Sequence, residues 1–275
     1  MSSRVYDRGD DPEVIPKWTI VEKFAKGRAV YIHPDLDPGQ WLYKYMRADQ
    51  AFRMLGDRQM WFAAPDTWDD PHESWWCEQL FRKGSHLETA YAYGSCWTRR
   101  WRDEPFWRMY ACRCEGASAS GAKPAKATAT LPAVRFRAKA GTLLSWLREA
   151  ARASTCKAYM GRVRYCPIDQ LEEAAQALRG SVKSASPLAA TGLHMKRRAY
   201  EFEDEVRMLW IDRLHRRKGH AIAFDPLAIF DQVMIGPTRS KDLPRYTEVE
   251  SMLVALGIPP GLIVPSSVFT PPELL

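Results

Sequence analysis

The chain has 275 residues, of which 46% are hydrophobic and 27% charged, so it can bury a core and is unlike a disordered protein. Its net charge of +7 permits an acidic partner but does not demonstrate one, because the basic residues form short separate runs at 98–102, 196–198 and 213–218. No apolar run of about 18 residues is present to span a membrane, and no signal peptide opens the chain. Six scattered cysteines then predict a cytoplasmic protein with free thiols.

Hydrophobic periodicity predicts alternating strands and helices after an N-terminal arm at 1–39, which holds at most one short element. The predicted strands lie at 40–46, 59–65, 91–98, 133–138, 161–167, 200–210, 220–226 and 231–237. The predicted helices lie at 50–56, 73–83, 104–114, 141–153, 169–180 and 244–257.

Two segments rich in small and polar residues, 115–132 and 181–192, predict flexible loops within a single domain spanning 40–270. Short strands mixed with helices favour an α+β fold over a doubly wound parallel sheet. We therefore expect a mixed, largely antiparallel sheet with flanking helices.

Familiar catalytic motifs are missing from the sequence. There is no GxxxxGK[ST], no GxGxxG after a strand, no GxSxG and no HExxH. The pair in CRC, Cys112 and Cys114, has the wrong spacing for a zinc site, so we expect no metal.

The stretch YEFEDEVRML, residues 200–209, combines a strand pattern with a row of acids. A period of two places Glu201, Glu203, Glu205 and Arg207 on one face, with the apolar residues facing a core. One interpretation is a solvated outer face in which Arg207 neutralises a neighbour. The other is a cleft in which a carboxylate stabilises a developing cation or activates a hydroxyl.

Other residues allow both a structural and a functional interpretation. Lys196 precedes Tyr200 by four positions, so the pair could serve a phosphate and a stacked ring, or lie on an ordinary surface. Ser95 and Thr98 come at the end of a predicted strand, where their hydroxyls could support a cleft or a turn.

Six motifs follow one another in an order similar to that of the bacterial domain of unknown function DUF2971. They are LYKY (42–45), MWFAAPDTWDDPHE (60–73), SCWT (95–98), FWRMYA (106–111), KRRAYEFEDEVRML (196–209) and FDQVMIGP (230–237). The resemblance covers about residues 40–270. Asp69 stands where the family usually has Asn, and Tyr200 where it usually has Trp.

The motif layout also looks like that of ADP-ribosyltransferases, which implies a split β-core and NAD as the substrate. By this resemblance Glu205 or Glu203 is the catalytic residue that stabilises an oxocarbenium-like transition state. The residues implied to bind NAD are Lys44, Tyr43, Tyr45, Thr98, Ser95, Arg207 and Lys196. Lys44 stands where His or Arg is usual in those enzymes.

The resemblance implies an ADP-ribosyltransferase-like enzyme or an NAD glycohydrolase, acting as a toxin or phage-defence effector on a nucleic-acid or protein acceptor. A first alternative is a nucleic-acid-binding or defence-associated module without NAD chemistry, which would use the basic runs. A second is a nuclease in which Asp69, Asp70, Glu73 and the late glutamates hold Mg²⁺.

Overall fold

The computed structural model describes residues 18–68, 70, 72–73, 91–101, 104–111, 132–181, 184–212, 215, 217–237 and 243–268. The strands in these residues are β1 Thr19–Lys23, β2 Ala29–Ile32, β3 Trp41–Met46, β4 Gln59–Ala63, β5 Tyr91–Thr98, β6 Val134–Lys139, β7 Lys157–Arg162, β8 Arg164–Cys166, β9 Met195–Arg197, β10 Glu205–Asp212, β11 Gly219–Ala223, β12 Gln232–Ile235 and β13 Ile263–Pro265. The α-helices are α1 Ala48–Gly56, α2 Glu104–Ala111, α3 Ala140–Arg152, α4 Ile168–Ser181, α5 Ala185–Leu193, α6 Pro226–Ile229 and α7 Leu243–Ala255.

Most of the described strands form one mixed sheet with the order β1-β2-β7-β10-β5-β3-β6-β12-β13, and β11 joins it through β4. Its neighbours are antiparallel except for the pairs β2–β7 and β12–β13. Strands β8 and β9 form a separate parallel pair. The predicted α+β class, with a largely antiparallel sheet and flanking helices, is confirmed.

The sheet branches at β5. One edge of β5 pairs with β10 from Thr98↔Glu205 to Tyr91↔Asp212. The other edge pairs with β4 at Ala63↔Gly94 and with β3 at Tyr43↔Thr98. The edge of β5 at residues 95–97 therefore faces a gap between β3 and β4, which we call the fork.

The main core lies on one face of this sheet, beneath α1, α3 and α7. Helix α3 contributes Leu143, Leu147 and Ala151, which are four residues apart and therefore lie on one side of the helix. Each leucine buried in this way stabilises the fold by roughly 1.5–3 kcal/mol. Strand β10 adds its own apolar residues to this core, Val206, Met208 and Trp210.

Helix α5 covers the other face of β10. Its Ala189, Ala190 and Leu193 pack in one cluster with Leu209 and Ile211. All eight residues of β10 are consequently buried. The interpretation of this strand as a solvated outer face is therefore wrong for residues 205–212.

The prediction of a loop at 181–192 is wrong over most of that range, since residues 185–193 form α5. Small residues suggest a linker, but here they allow close approach to the sheet, and Pro187 is tolerated in the first turn. The other loop, 115–132, lies outside the described residues except at its last position. The helix expected at 73–83 also lies outside them beyond Glu73.

The N-terminal segment contributes two strands where the sequence predicts at most one short element. Strand β2 pairs with β7 in parallel, and its Val30 is fully buried in the main core. The strand expected at 161–167 is instead divided between β7 and β8, which are separated by Val163.

Candidate functional site

The acidic stretch is not one continuous strand. Residues Arg198–Glu203 form a 3₁₀ helix, Asp204 adopts a left-handed conformation with φ 43°, and β10 begins at Glu205. An aspartate tolerates this conformation better than most residues. The predicted strand is therefore wrong for residues 200–204, and Glu201 and Phe202 are exposed.

A cluster of five buried charged side chains is built around the start of β10: Glu73, Lys196, Glu203, Glu205 and Arg207. Lys196 Nζ lies 2.6 Å from Glu203 Oε2, 3.5 Å from Glu205 Oε2 and 3.6 Å from Glu73 Oε1. The lysine therefore bridges the neighbouring carboxylates Glu203 and Glu205 and a third, Glu73, from a distant part of the chain.

Arg207 fixes one side of the cluster. Its Nε and Nη2 each donate to one oxygen of Glu205 at 2.8 Å, and Nη2 also donates to Glu73 at 2.7 Å. The indole of Trp68 lies 4.5 Å from the guanidinium carbon. Trp68 in turn lies against Gly94, where a Cβ atom would come within 2.5 Å of the indole. The glycine therefore allows the tryptophan to cover the cluster.

The charges in this cluster do not balance. Among the described residues, three carboxylates face two cations, so these five groups carry one excess negative charge if all are ionised. A buried charge without a full set of partners is costly, and the usual response is a change in pKa.

The pKa values of Glu205, in β10, and of Glu203, in the turn before it, are shifted in opposite directions. Burial alone would raise the pKa of Glu205, but the charges of Arg207 and Lys196 outweigh it and hold the pKa at about 2. Burial raises the pKa of Glu203; Lys196 only partly offsets this, and the charge of Glu205 adds to the increase. Glu203 is therefore the carboxyl that accepts a proton more readily.

A second ion pair supports the cluster from the side of β9. Arg197 Nη2 donates to Asp70 Oδ1 at 2.8 Å, and the ring of Tyr200 lies 4.6 Å from Lys196 Nζ. Burial alone would lower the pKa of Lys196, but the charges of Glu205 and Glu73 raise it overall. The basic run 196–198 thus uses its first two members inside the protein.

Thr98 connects the cluster to the turn after β5. Its hydroxyl donates to the carbonyl oxygen of Glu203 at 2.5 Å and accepts from the backbone N–H of Arg100 at 3.0 Å. Thr98 therefore positions the backbone of Glu203, while its hydroxyl is already engaged on both sides.

Lys44 and Ser95 lie on the main-core face of the sheet, opposite Glu205. Lys44 Nζ donates to Ser95 Oγ at 3.1 Å and to the carbonyl oxygen of Cys96 at 3.0 Å, within the fork. Burial lowers the pKa of Lys44, and the charges of Cys96 and Glu205 only partly offset this.

Tyr43 and Tyr45 are buried elsewhere, beneath α2. Tyr45 packs against Phe106 and Trp107, and the guanidinium of Arg135 lies 4.7 Å from the Tyr43 ring. The structure thus brings together Lys196, Glu203, Glu205 and Arg207, with Thr98 beside them. It does not bring Lys44, Ser95, Tyr43 or Tyr45 into contact with the carboxylates.

Two members of the site were not predicted in their roles. The sequence suggests Glu73 only as a ligand of Mg²⁺, and it gives no signal for Trp68. Both belong to the turn DTWDDPHE, whose abundance of Asp and Pro masks their long-range contacts.

A metal site finds no support in the described part of the chain, where no group of three or more His, Cys, Asp or Glu side chains is placed to hold an ion. The oxygens of Asp70 and Glu73 are engaged by Arg197 and Arg207. Asp69 lies outside the described residues.

None of the helices described is long and apolar enough to cross a membrane. Comparison with protein-family models, with curated proteins and with solved structures finds no match to this chain. The resemblance to DUF2971 and to ADP-ribosyltransferases therefore stays a prediction.

Proposed function

We propose that the protein is an NAD-consuming enzyme of the ADP-ribosyl-transfer type, either a transferase or a glycohydrolase, acting in the cytoplasm. One observation carries the proposal: Glu203 and Glu205 are neighbouring buried carboxyls whose pKa values are shifted apart. Paired carboxyls with divergent pKa values are the usual arrangement for cleaving glycosidic bonds. The branching of the sheet at β5 is also compatible with the split core that the resemblance implies.

The excess negative charge of the cluster suits this reaction. When the bond between nicotinamide and ribose breaks, its electron pair leaves with nicotinamide and positive charge develops on the sugar. A fixed, buried carboxylate stabilises such a charge more strongly than water would, because its position requires no reorganisation. Glu203 in its ionised form, which the charge of Lys196 favours, is the candidate for this role, since Lys196 holds only one of its oxygens.

The other members of the cluster have positioning roles in the proposal. Both oxygens of Glu205 are bound by Arg207, so Glu205 orients the arginine and keeps Lys196 charged. Thr98 holds the backbone of Glu203. These contacts preorganise the reacting carboxylate rather than touch the substrate.

The test is NAD turnover by the purified protein and by Glu203→Gln, measured as release of nicotinamide. We expect a decrease of at least 100-fold in kcat for Glu203→Gln, because electrostatic stabilisation of this kind is typically worth about 10²–10³-fold. Glu201→Gln is the matched control, since Glu201 is in the same turn but exposed, and its turnover should be unchanged.

Circular dichroism should show that both variants keep the wild-type fold. Wild-type protein that neither binds nor consumes NAD with a range of acceptors would refute the proposal. Equal turnover by wild type and Glu203→Gln would remove Glu203 from the mechanism. The nucleic-acid-binding and nuclease alternatives stay predictions, to be tested by salt-dependent binding and by Mg²⁺-dependent plasmid cleavage.

A further inference from the structure

We propose that the turn following β5 binds the phosphates of a nucleoside diphosphate through Arg99, Arg100 and Arg162, with Trp101 as a stacking surface for the base. This turn belongs to the basic run TRRWR at 98–102, which the proposed function does not use. The inference rests on that function, because it assigns the nucleoside diphosphate half of the same substrate.

The first argument is the charge of this corner of the sheet. Arg99 donates through both Nε and Nη2 to one oxygen of Asp204, with Nε at 2.8 Å. Arg162 Nη2 lies 3.9 Å from the same oxygen, and Arg100, the next residue along the turn, has an exposed side chain. Among the described residues, Asp204 is the carboxylate that ion-pairs with these arginines. These four described side chains together carry a net charge of +2, which suits an anionic ligand.

The second argument is accessibility. The side chain of Arg162 is 40% exposed, and Trp101 is 53% exposed. A guanidinium can bind phosphate oxygens in a bidentate manner, and an exposed indole can stack on a base. Arg100 and Trp101 are consecutive exposed residues of the turn, and their side chains match the two chemical parts of a nucleotide.

The third argument is that the turn is held rigidly beside Glu203. The Thr98 hydroxyl bonds both to the Glu203 carbonyl and to the Arg100 N–H, and the Arg99 N–H donates to the Asp204 carbonyl at 3.1 Å. These bonds fix the backbone of the turn relative to the backbone of Glu203, the candidate catalytic residue. A preorganised phosphate site loses little entropy on binding, and its distance from the reacting bond stays constant.

The experiment is calorimetric titration with ADP, which lacks the nicotinamide ribose and cannot be turned over. We expect binding to weaken roughly tenfold in Arg162→Gln and in Arg100→Gln, as for the loss of one charge-assisted hydrogen bond at a partly exposed site. Trp101→Ala should weaken binding of ADP but not of inorganic pyrophosphate. Arg99 is left intact in these variants because it holds Asp204.

Arg137→Gln is the matched control. Arg137 is a partly exposed arginine with its own bidentate partner, Asp231, at 2.8–2.9 Å, so it leaves no charge for a ligand and its loss should not change ADP affinity. Thermal melting should show that each variant remains folded.

Absence of ADP binding to the wild-type protein, or equal affinities in all four variants, would overturn the inference. Tighter binding of an oligonucleotide than of ADP, with the same dependence on the arginines, would also overturn it, because the ligand would then be nucleic acid. Arginine-dependent ADP binding without any NAD turnover would support this subsite and refute only the proposed function.

Discussion

At the scale of single residues, Glu201, Glu203 and Glu205 show how position decides the chemistry of identical side chains. Glu201 is exposed, Glu203 has a raised pKa, and Glu205 has a pKa of about 2. In the sequence, the three glutamates alternate along one predicted face and are therefore indistinguishable. The difference comes from Arg207 and Lys196, which contact Glu205 and Glu203 through space.

His194 provides a prediction on pH at the same scale. Its two ring nitrogens lie 2.7 Å and 3.0 Å from the carbonyl oxygens of Ala190 and Arg207, and its burial lowers the pKa from 6.5 to about 4. The unfolded chain therefore binds a proton more readily than the folded one between these values. Stability from this group is present above pH 6.5 and is lost as the pH falls towards 4.

In the wild type, protonation of His194 lowers the free energy of unfolding as the pH falls through this window, by at most on the order of 3 kcal/mol. We expect His194→Gln to lack this loss, so that its unfolding free energy changes less with pH. Urea denaturation of both proteins at pH 4.5, 5.5 and 7 measures the difference in their free energies of unfolding. The other titrating groups are common to both proteins, so their contributions cancel in this difference. Parallel pH profiles for the two proteins would contradict the assignment.

At the scale of elements, the fork at β5 explains an unexpected position for Lys44. The Cys96 carbonyl points into the fork, between the pairs Tyr43↔Thr98 and Ala63↔Gly94, and Lys44 Nζ supplies its hydrogen bond. A buried carbonyl without a partner is costly, so the lysine replaces a strand at the point of branching.

Lys44→Met should lower the free energy of unfolding by about 1–3 kcal/mol, because the methionine fills space but leaves the Cys96 carbonyl unsatisfied. Chemical denaturation provides the measurement. Lys218→Met, at an exposed position, is the control and should have little effect. Identical losses in the two variants would show that Lys44 does not bridge the fork.

At the scale of the whole molecule, the described part of the N-terminal segment belongs to the main sheet. Strand β2 pairs with β7, and Trp18 packs edge-on against Tyr159 and His194. Removing these residues would leave β7 with an unpaired edge and would expose the core residues against which Val30 packs.

A chain that begins at residue 40 should therefore lose its cooperative unfolding transition. If residues 1–39 were a separable arm, their removal would leave this transition unchanged. Thermal melting monitored by near-ultraviolet circular dichroism distinguishes the two results. Full-length Ile20→Ala is the control, because Ile20 is 42% exposed on β1 and should melt as the wild type does. A sharp transition in the shortened chain would show that 40–270 folds alone.

The sequence by itself determined the approximate positions of most strands and helices and the α+β class, because the period of buried residues is a local property. It also pointed to the stretch that carries Glu203, Glu205 and Arg207. Tertiary structure alone decided that small residues at 185–193 form a buried helix and that a left-handed conformation at Asp204 places Glu203 outside β10. It also decided that burial raises the pKa of Glu203 while the neighbouring cations lower that of Glu205. These outcomes depend on strand pairing, burial and charges from distant segments such as Glu73 and Lys196, which no local pattern specifies.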